Sequence, residues 1–259
     1  MQRVLFHSTI FGPIHSRRLG SSLGINLTPD DGKICSFDCL YCEAGLNAQG
    51  AGTTGMADAD TVAADLEARL AEMKANGEPL DVITFSGNGE PTLHRDFERI
   101  VADTRRLRDK FFPDVKISVL SNATQLHRPD VVRALRTVDN NILKLDSAVD
   151  DTVRVLDRPA SPAYSVDDVV ESMARFDGHC IVQTMMISGT FGGKAFDNTT
   201  DAEIEALCRA YTRIRPASVM LYSIDRKTPV ETLQRVPADH LRVLADRITA
   251  ATGISVTTA

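Results

Sequence analysis

The stretch that decides the fold is Cys35-Ser36-Phe37-Asp38-Cys39-Leu40-Tyr41-Cys42, which places three thiols within eight residues. It follows a strand-like run at residues 24–27. A strand would turn alternate side chains to opposite faces, and a helix would align the three cysteines side by side. A wrapped loop instead brings three sulfur atoms onto one small object. The spacing Cys-x3-Cys-x2-Cys therefore predicts a metal-binding loop at the end of a strand.

The ligand type narrows the choice of metal. Thiolates are soft ligands that select iron–sulfur clusters or zinc. Structural zinc takes four protein ligands, but His15 lies twenty residues earlier, and Cys180 and Cys208 are far along the chain. Three thiolates with an open fourth corner suit a [4Fe-4S] cluster in which one iron binds a further ligand. A non-catalytic protein that binds zinc or a cluster remains the alternative from another class.

With Tyr41 before its last cysteine, this loop resembles the cluster loop of the radical S-adenosylmethionine (SAM) enzymes. Residues 11–20 (FGPIHSRRLG) and 221–229 (LYSIDRKTP) resemble a branch of small iron–sulfur oxidoreductases related to the radical enzyme of tRNA wybutosine synthesis. The resemblance implies that Cys35, Cys39 and Cys42 hold a [4Fe-4S] cluster, with SAM on the fourth iron. It also implies a flavodoxin- or ferredoxin-like electron donor, cleavage of SAM to a 5′-deoxyadenosyl radical, and abstraction of hydrogen from a substrate.

Composition excludes several classes of protein. The chain has 259 residues, 43% hydrophobic and 25% charged, which is typical of a globular protein. No apolar run approaches the roughly 18 residues of a membrane span, and residues 1–12 lack the features of a signal peptide. Five cysteines, three of them in one loop, argue against a disulfide framework. We therefore expect a cytoplasmic protein. The net charge of −6 disfavours general nucleic-acid binding.

Strand-like and helix-like patterns alternate after the loop. Six βα units predict a parallel sheet with helices outside it, two units short of a closed barrel. We predict an α/β fold, an open partial (β/α)6 TIM-like barrel, which is also the core that the resemblance implies. It forms a single domain, 1–259, with an N-terminal strand or hairpin extension (1–23), a barrel core (24–230), and a C-terminal helix and tail (231–259). The strand-like runs are 82–85, 117–120, 142–145, 181–187 and 219–222, and the helix patterns follow Asp60, Asp96, Arg128, Tyr164, Thr200 and Val236.

Three local patterns carry further expectations. Asp60 is the expected N-cap of the first helix. Thr200 and Glu203 match a capping box. The glycine-containing residues 189–194 predict a flexible loop over the substrate.

The active site of a parallel barrel lies at the carboxyl ends of its strands. Run 82–85 ends in Ser86-Gly87-Asn88-Gly89-Glu90-Pro91-Thr92, which resembles the family's Gly-Gly-Glu motif for the amino group of SAM. Asn88 stands where the motif has its second glycine. The resemblance implies that SAM is contacted by Gly87, Asn88, Gly89 and Glu90. The alternative is a glycine-rich turn with no role in binding.

Other strand ends carry polar groups. Asn122 either faces the SAM ribose or caps its strand. The period-two alternation places Lys144 and Asp146 on one face, and a barrel lumen accommodates such a pair more cheaply than a helix-covered face does. Asp146 and Ser147 are candidate SAM contacts. Lys144 contacts substrate or cofactor, or forms an ion pair with Asp146.

The remaining candidates complete a pocket. Tyr41 is a candidate SAM contact, and Gln183 and Tyr222 join Lys144 and Asp146 as candidate catalytic residues. Arg17 and Arg18 can clamp a carboxylate or phosphate of the substrate, or simply form a solvent-facing turn.

The substrate is the least constrained part of the prediction. A small molecule or a peptide, including a glycyl-radical partner, is favoured. Modification of a tRNA base is the alternative, which the net charge of −6 does not support.

Overall fold

The computed structural model describes residues 3–16 and 19–259. Its strands are, in chain order, β1 (Ile10–Ser16), β2 (Gly20–Ile25), β3 (Val82–Phe85), β4 (Lys116–Ser121), β5 (Asn140–Lys144), β6 (Ile181–Met185), β7 (Ile187–Phe191), β8 (Lys194–Asp197), β9 (Ser218–Tyr222), β10 (Gln234–Arg235) and β11 (Val256–Thr258). Its α-helices are α1 (Ala59–Asn76), α2 (Phe97–Phe111), α3 (Pro129–Leu135), α4 (Asp150–Leu156), α5 (Val166–Ala174), α6 (Asp201–Ile214) and α7 (Ala238–Thr252).

In this described part, eight strands form the main sheet in the order β1-β2-β3-β4-β5-β6-β9-β11. The strands from β2 to β11 run parallel, and β1 pairs with β2 antiparallel. Thr84 pairs with Gly24 on one side and Ser118 on the other, so the carboxyl ends of neighbouring strands share one edge. The predicted open barrel is confirmed, with β11 as an additional short parallel strand. The predicted boundary after residue 23 falls inside β2.

Apolar periodicity explains how the helices cover the sheet. Val62, Leu66, Leu70 and Met73 recur at helical spacing in α1, and each is at most 1% exposed. They join strand residues and other helix residues in one core. No helix in the described residues is long and apolar enough to cross a membrane.

One predicted helix cap and one predicted capping box differ from the structure. Asp58, not Asp60, caps α1, because its carboxylate accepts hydrogen bonds from the backbone of Asp60 and Thr61, each at 3.1 Å. Thr200 caps α6 as predicted. The Glu203 carboxylate, however, binds side chains near α4 instead of completing a capping box.

A second, three-stranded sheet, in the order β10-β7-β8, was not predicted. The expected flexible loop at 189–194 is mostly a β-hairpin, and its turn consists of Gly192 and Gly193 at φ +56° and +76°. Two consecutive left-handed residues are what a tight hairpin requires. The short helix α4 and strand β11 were also missed by the sequence analysis.

Candidate functional site

The three thiols lie in a loop that follows the carboxyl end of β2. Cys35, Cys39 and Cys42 are free thiols, and Cys39 is 9% exposed. Burial raises the pKa of Cys39 well above its usual value; the Lys144 ammonium opposes this rise, and the Asp157 carboxylate adds to it. Burial also raises the pKa of Cys35 to about 12. A metal cation is the partner that lets such buried thiols ionise.

The loop does not have the geometry of a single-ion site. Among residues 3–16 and 19–259, no three His, Cys, Asp or Glu side chains converge where one metal ion would fit. A mononuclear zinc site needs that convergence, whereas a four-iron cluster distributes its thiolates over separate irons. Metal analysis of the purified protein distinguishes the two.

The end of α4 and the segment that follows it hold the cysteine loop in place. Leu40 N donates to Leu156 O at 3.0 Å, and Ala160 N donates to Ser36 O at 2.9 Å. Such backbone bonds fix a loop that has no regular structure of its own. The cysteines are thus positioned by a segment more than a hundred residues away in the sequence.

The glycine turn after β3 packs against the base of the cysteine loop. Glu90 N donates to Ile34 O at 3.0 Å, one residue before the first cysteine. A Cβ atom on Gly89 would lie 1.9 Å from that same oxygen. Only glycine permits this approach of the two backbones.

We expect Gly89→Ala to lower the free energy of unfolding by about 1–3 kcal/mol, because the new methyl group must displace the Ile34 carbonyl. Urea denaturation followed by circular dichroism measures the change. Gly77→Asn is the matched control, since Gly77 ends α1 in a left-handed conformation that Asn tolerates and a Cβ there meets nothing within 4 Å. Equal stability of the two variants would contradict the conclusion that only glycine fits at position 89.

Asn88 is fully buried, and its side chain is used within the protein. Its Oδ1 accepts from Phe6 N at 2.8 Å, and its Nδ2 donates to Phe6 O and Pro29 O, each at 2.8 Å. A Cβ on Gly87 would meet Asn26 Oδ1 at 2.2 Å. The replacement of the motif's second glycine therefore ties the N-terminal segment to the turn, and a SAM contact by Asn88 would have to come from its backbone.

The Glu90 carboxylate joins the ends of β3 and β4. It is 3% exposed and accepts from Asn122 N at 2.7 Å, Ser121 Oγ at 2.9 Å and Thr92 N at 3.1 Å. Burial raises its pKa, and the hydrogen bonds from Asn122 and Thr92 oppose that rise. In this structure Glu90 thus cross-links two strand ends, and its contact with SAM stays a prediction.

Asn122 connects β4 to the cysteine loop. Its Nδ2 donates to Ser36 Oγ at 2.9 Å and lies 3.6 Å from Cys35 Sγ. Its Oδ1 accepts from Thr124 N at 3.1 Å. The side chain therefore positions the first cysteine, and the predicted ribose contact remains a prediction.

A buried charged network lies at the carboxyl end of β5. Lys144 Nζ bonds the Asp146 carboxylate and the Tyr41 hydroxyl and is 2.7 Å from Asp157 Oδ1. Tyr41 also donates to Asp146, whose other oxygen accepts from Met185 N at 2.9 Å. Burial acts to lower the pKa of Lys144, but the two carboxylates outweigh it and hold that pKa above its usual value. The predicted ion pair of Lys144 and Asp146 is confirmed, and Asp157 was not foreseen.

Ser147 is fully buried and lies outside this network. Its Oγ donates to Glu203 of α6 at 2.6 Å. It does not line the cavity described below, and its predicted contact with SAM stays a prediction.

A cavity of about 390 Å³ lies beside the last cysteine. The cysteine loop contributes Tyr41, Cys42 and Glu43, and the ends of β6 and β9 contribute Met185 and Tyr222. Both edges of the main sheet reach the same cavity; the rest of its lining is Ile14, His15, Ser223, Ile224, Asp225, Arg226, Thr228 and Ala259. Tyr222 thus lies beside the cysteine loop, and its catalytic role stays a prediction.

The predicted site residues Gln183, Arg17 and Arg18 are not placed at this cavity. Gln183 is half-buried on β6, two residues before Met185, but does not line the cavity. Arg17 and Arg18 lie outside the described residues.

A family model described as the radical SAM superfamily matches residues 31–209. The chain belongs to the radical SAM superfamily. As a member of this family, it has a [4Fe-4S] cluster and SAM as its cofactors. The donor set fits this group: three free thiols share one loop at the carboxyl edge of a parallel sheet, next to a cavity.

Relatives of this radical SAM protein include proteins named UPF0026. The one from Synechocystis sp. is 31% identical over 86% of this chain and 77% of its own length. The one from Methanocaldococcus jannaschii is 32% identical over 68% of this chain and 53% of its length. A Brachyspira hyodysenteriae protein named GTPase Obg is 27% identical over 86% of this chain, which spans 31% of that protein.

Solved radical SAM structures share the fold. A radical SAM methyltransferase from Sphaerobacter thermophilus has a TM-score of 0.66 and 18% identity, covering 92% of this chain and 65% of that one. A TYW1 structure with a lysine-pyruvate adduct has a TM-score of 0.61 and 14% identity, covering 90% and 75%. At these identities the likeness is one of fold alone.

Proposed function

We propose that this radical SAM enzyme holds its cluster through Cys35, Cys39 and Cys42 and binds SAM beside Cys42. The observation that supports this most directly is that three free thiols share one loop while Cys42 lines a cavity of about 390 Å³. Bound there, the cluster and SAM would supply one-electron radical chemistry, namely reductive cleavage of SAM with an electron from an external donor, followed by hydrogen abstraction from the substrate.

The residues around the cysteine loop hold its three thiols in position for this chemistry. Backbone bonds from Leu156 and Ala160, together with the Asn122 amide, hold the loop in a fixed conformation. Glu90 joins the strand ends that the loop packs against. A site that is already ordered needs less rearrangement when cofactor and substrate bind.

Tyr41 is the candidate that connects the loop to the cavity. Its hydroxyl is bonded to Lys144 and Asp146, so its ring has a fixed orientation where it lines the cavity. We assign the ring of Tyr41 to SAM. Lys144 and Asp146 orient the Tyr41 ring through its hydroxyl. Gln183 and Tyr222 are proposed to contact the substrate.

The substrate we propose is a small molecule or a peptide that binds next to SAM. The electron donor would be a flavodoxin- or ferredoxin-like protein. The net charge of −6 gives no support to tRNA as substrate, and RNA retained on the purified protein would reverse this choice.

Anaerobic reconstitution tests the proposal directly. We expect about four irons per chain and release of methionine and 5′-deoxyadenosine when dithionite and SAM are added. Iron is measured by colorimetry and the nucleoside by liquid chromatography. A colourless protein that holds one zinc ion, or four irons without SAM cleavage, would refute the proposal.

A further inference from the structure

A buried lysine lies just before the cysteine loop. Lys33 is two residues before Cys35, and its side chain is 1% exposed. Its Nζ donates to the Gly45 carbonyl at 2.8 Å, and the carboxylate recorded nearest to it, Asp38 Oδ1, is 3.7 Å away. A buried ammonium group is costly unless it is paired and hydrogen-bonded. With one short bond and one long ion pair, Lys33 keeps donor capacity that the described contacts do not use.

Asp38 is shared between two cations. Its Oδ2 lies 3.1 Å from Arg158 Nη1, and its Oδ1 accepts from Asn47 N at 2.6 Å. Lys33, Asp38 and Arg158 together carry one net positive charge. Because Asp38 immediately precedes Cys39, this charge is built into the cysteine loop itself.

The charge acts on the thiols. Burial raises the pKa of Cys35, the Glu90 carboxylate raises it further, and the Lys33 ammonium opposes both. On the other side of the loop, the Lys144 ammonium lowers the pKa of Cys39 and the Asp157 carboxylate raises it. Lys33 is therefore the cation that offsets the Glu90 carboxylate at Cys35.

We propose that Lys33 is a positioning residue that supplies a fixed positive charge to the cysteine loop and so favours uptake of an electron by the group the loop holds. The inference rests on the proposed function, in which that group is the cluster. A group that gains negative charge on reduction is stabilised by a nearby cation, and low local dielectric strengthens the effect. By binding the Gly45 carbonyl, Lys33 also joins the two ends of the loop.

The sign of the effect allows a sharp test. Lys33→Met removes the positive charge, so the midpoint potential of the cluster should shift to a lower value. Asp38→Asn removes a negative charge but keeps an acceptor for Asn47 N, so the potential should shift to a higher value. Potentials are measured by anaerobic redox titration with electron paramagnetic resonance detection. Opposite shifts support the proposal; shifts in one direction, or none, overturn it.

Lys116→Met is the matched control. Lys116 is exposed at the first residue of β4, the end of the sheet away from the cysteine loop, so its loss should leave the potential unchanged. If Lys33→Met does not fold, as judged by circular dichroism, Asp38→Asn alone decides, and an unchanged or lowered potential overturns the proposal.

Iron retention is an independent readout. Lys33→Met should lower the affinity for iron about tenfold or more, as loss of a group that supports metal ligands commonly does. If Lys33→Met retained iron as well as the unmodified protein does, the bond from Lys33 to the Gly45 carbonyl would not be needed to hold the loop. If the unmodified protein binds no four-iron cluster, the proposed function fails; if it binds one and the two variants do not diverge, only this inference fails.

Discussion

Cys39→Ala is expected to lose the four-iron cluster and, with it, all release of 5′-deoxyadenosine above background. Cys39 is the middle thiol and the most buried of the three in the loop. Its replacement by a methyl group leaves two thiolates for a cluster that needs three from this chain, and no other Cys or His lies nearby in the sequence to substitute. Iron content and nucleoside release after anaerobic reconstitution measure both effects.

Cys208→Ala is the matched control for this loss. Cys208 lies on α6 and packs against the core, so its replacement removes a thiol without touching the loop. It should bind about four irons and cleave SAM at the unmodified rate. If Cys39→Ala kept iron and turnover, or if Cys208→Ala lost them equally, the assignment of the ligands would be wrong.

The barrel and its cysteine loop could be predicted because their signals are local and repeated. Apolar residues at a period near 3.6 in α1, and short apolar runs such as residues 82–85, report burial on one face or both. Three cysteines in one loop indicate a shared metal ion or cluster in any fold. The prediction of a flexible loop at 189–194 was wrong. Gly192 and Gly193 lie between two short extended runs, a pattern that is typical of a hairpin.

The environment of the site could not be predicted in the same way. Whether Glu90 faces a ligand or the neighbouring strand depends on the register of β3 and β4, which places Ser121 and Asn122 beside its carboxylate. Asp157 stands at the end of the short helix α4, and nothing near it in the sequence indicates that it meets Lys144. Long-range pairings of this kind come from the tertiary structure and have no periodic signature.

The second large effect is expected from Lys144→Met, which should lower the free energy of unfolding by about 3–5 kcal/mol. The change leaves Asp146 and Asp157, both nearly inaccessible, without the cation between them. Because the Lys144 side chain is 15% exposed and burial raises the pKa of Asp157 to about 7, solvent screening and protonation of Asp157 relieve part of the repulsion. The loss should therefore fall in the lower part of that range. Urea denaturation of the iron-free protein at neutral pH measures it.

A double variant separates charge from packing in this network. Adding Asp157→Asn to Lys144→Met removes one of the two facing carboxylates, so part of the lost stability should return, which simple additivity of two damaging changes would not allow. Lys110→Met is the surface control, because Lys110 pairs with Glu67 at 2.6 Å but its side chain is 56% exposed, and we expect little measurable change. If Lys144→Met were no more destabilising than Lys110→Met, the network would not stabilise the fold.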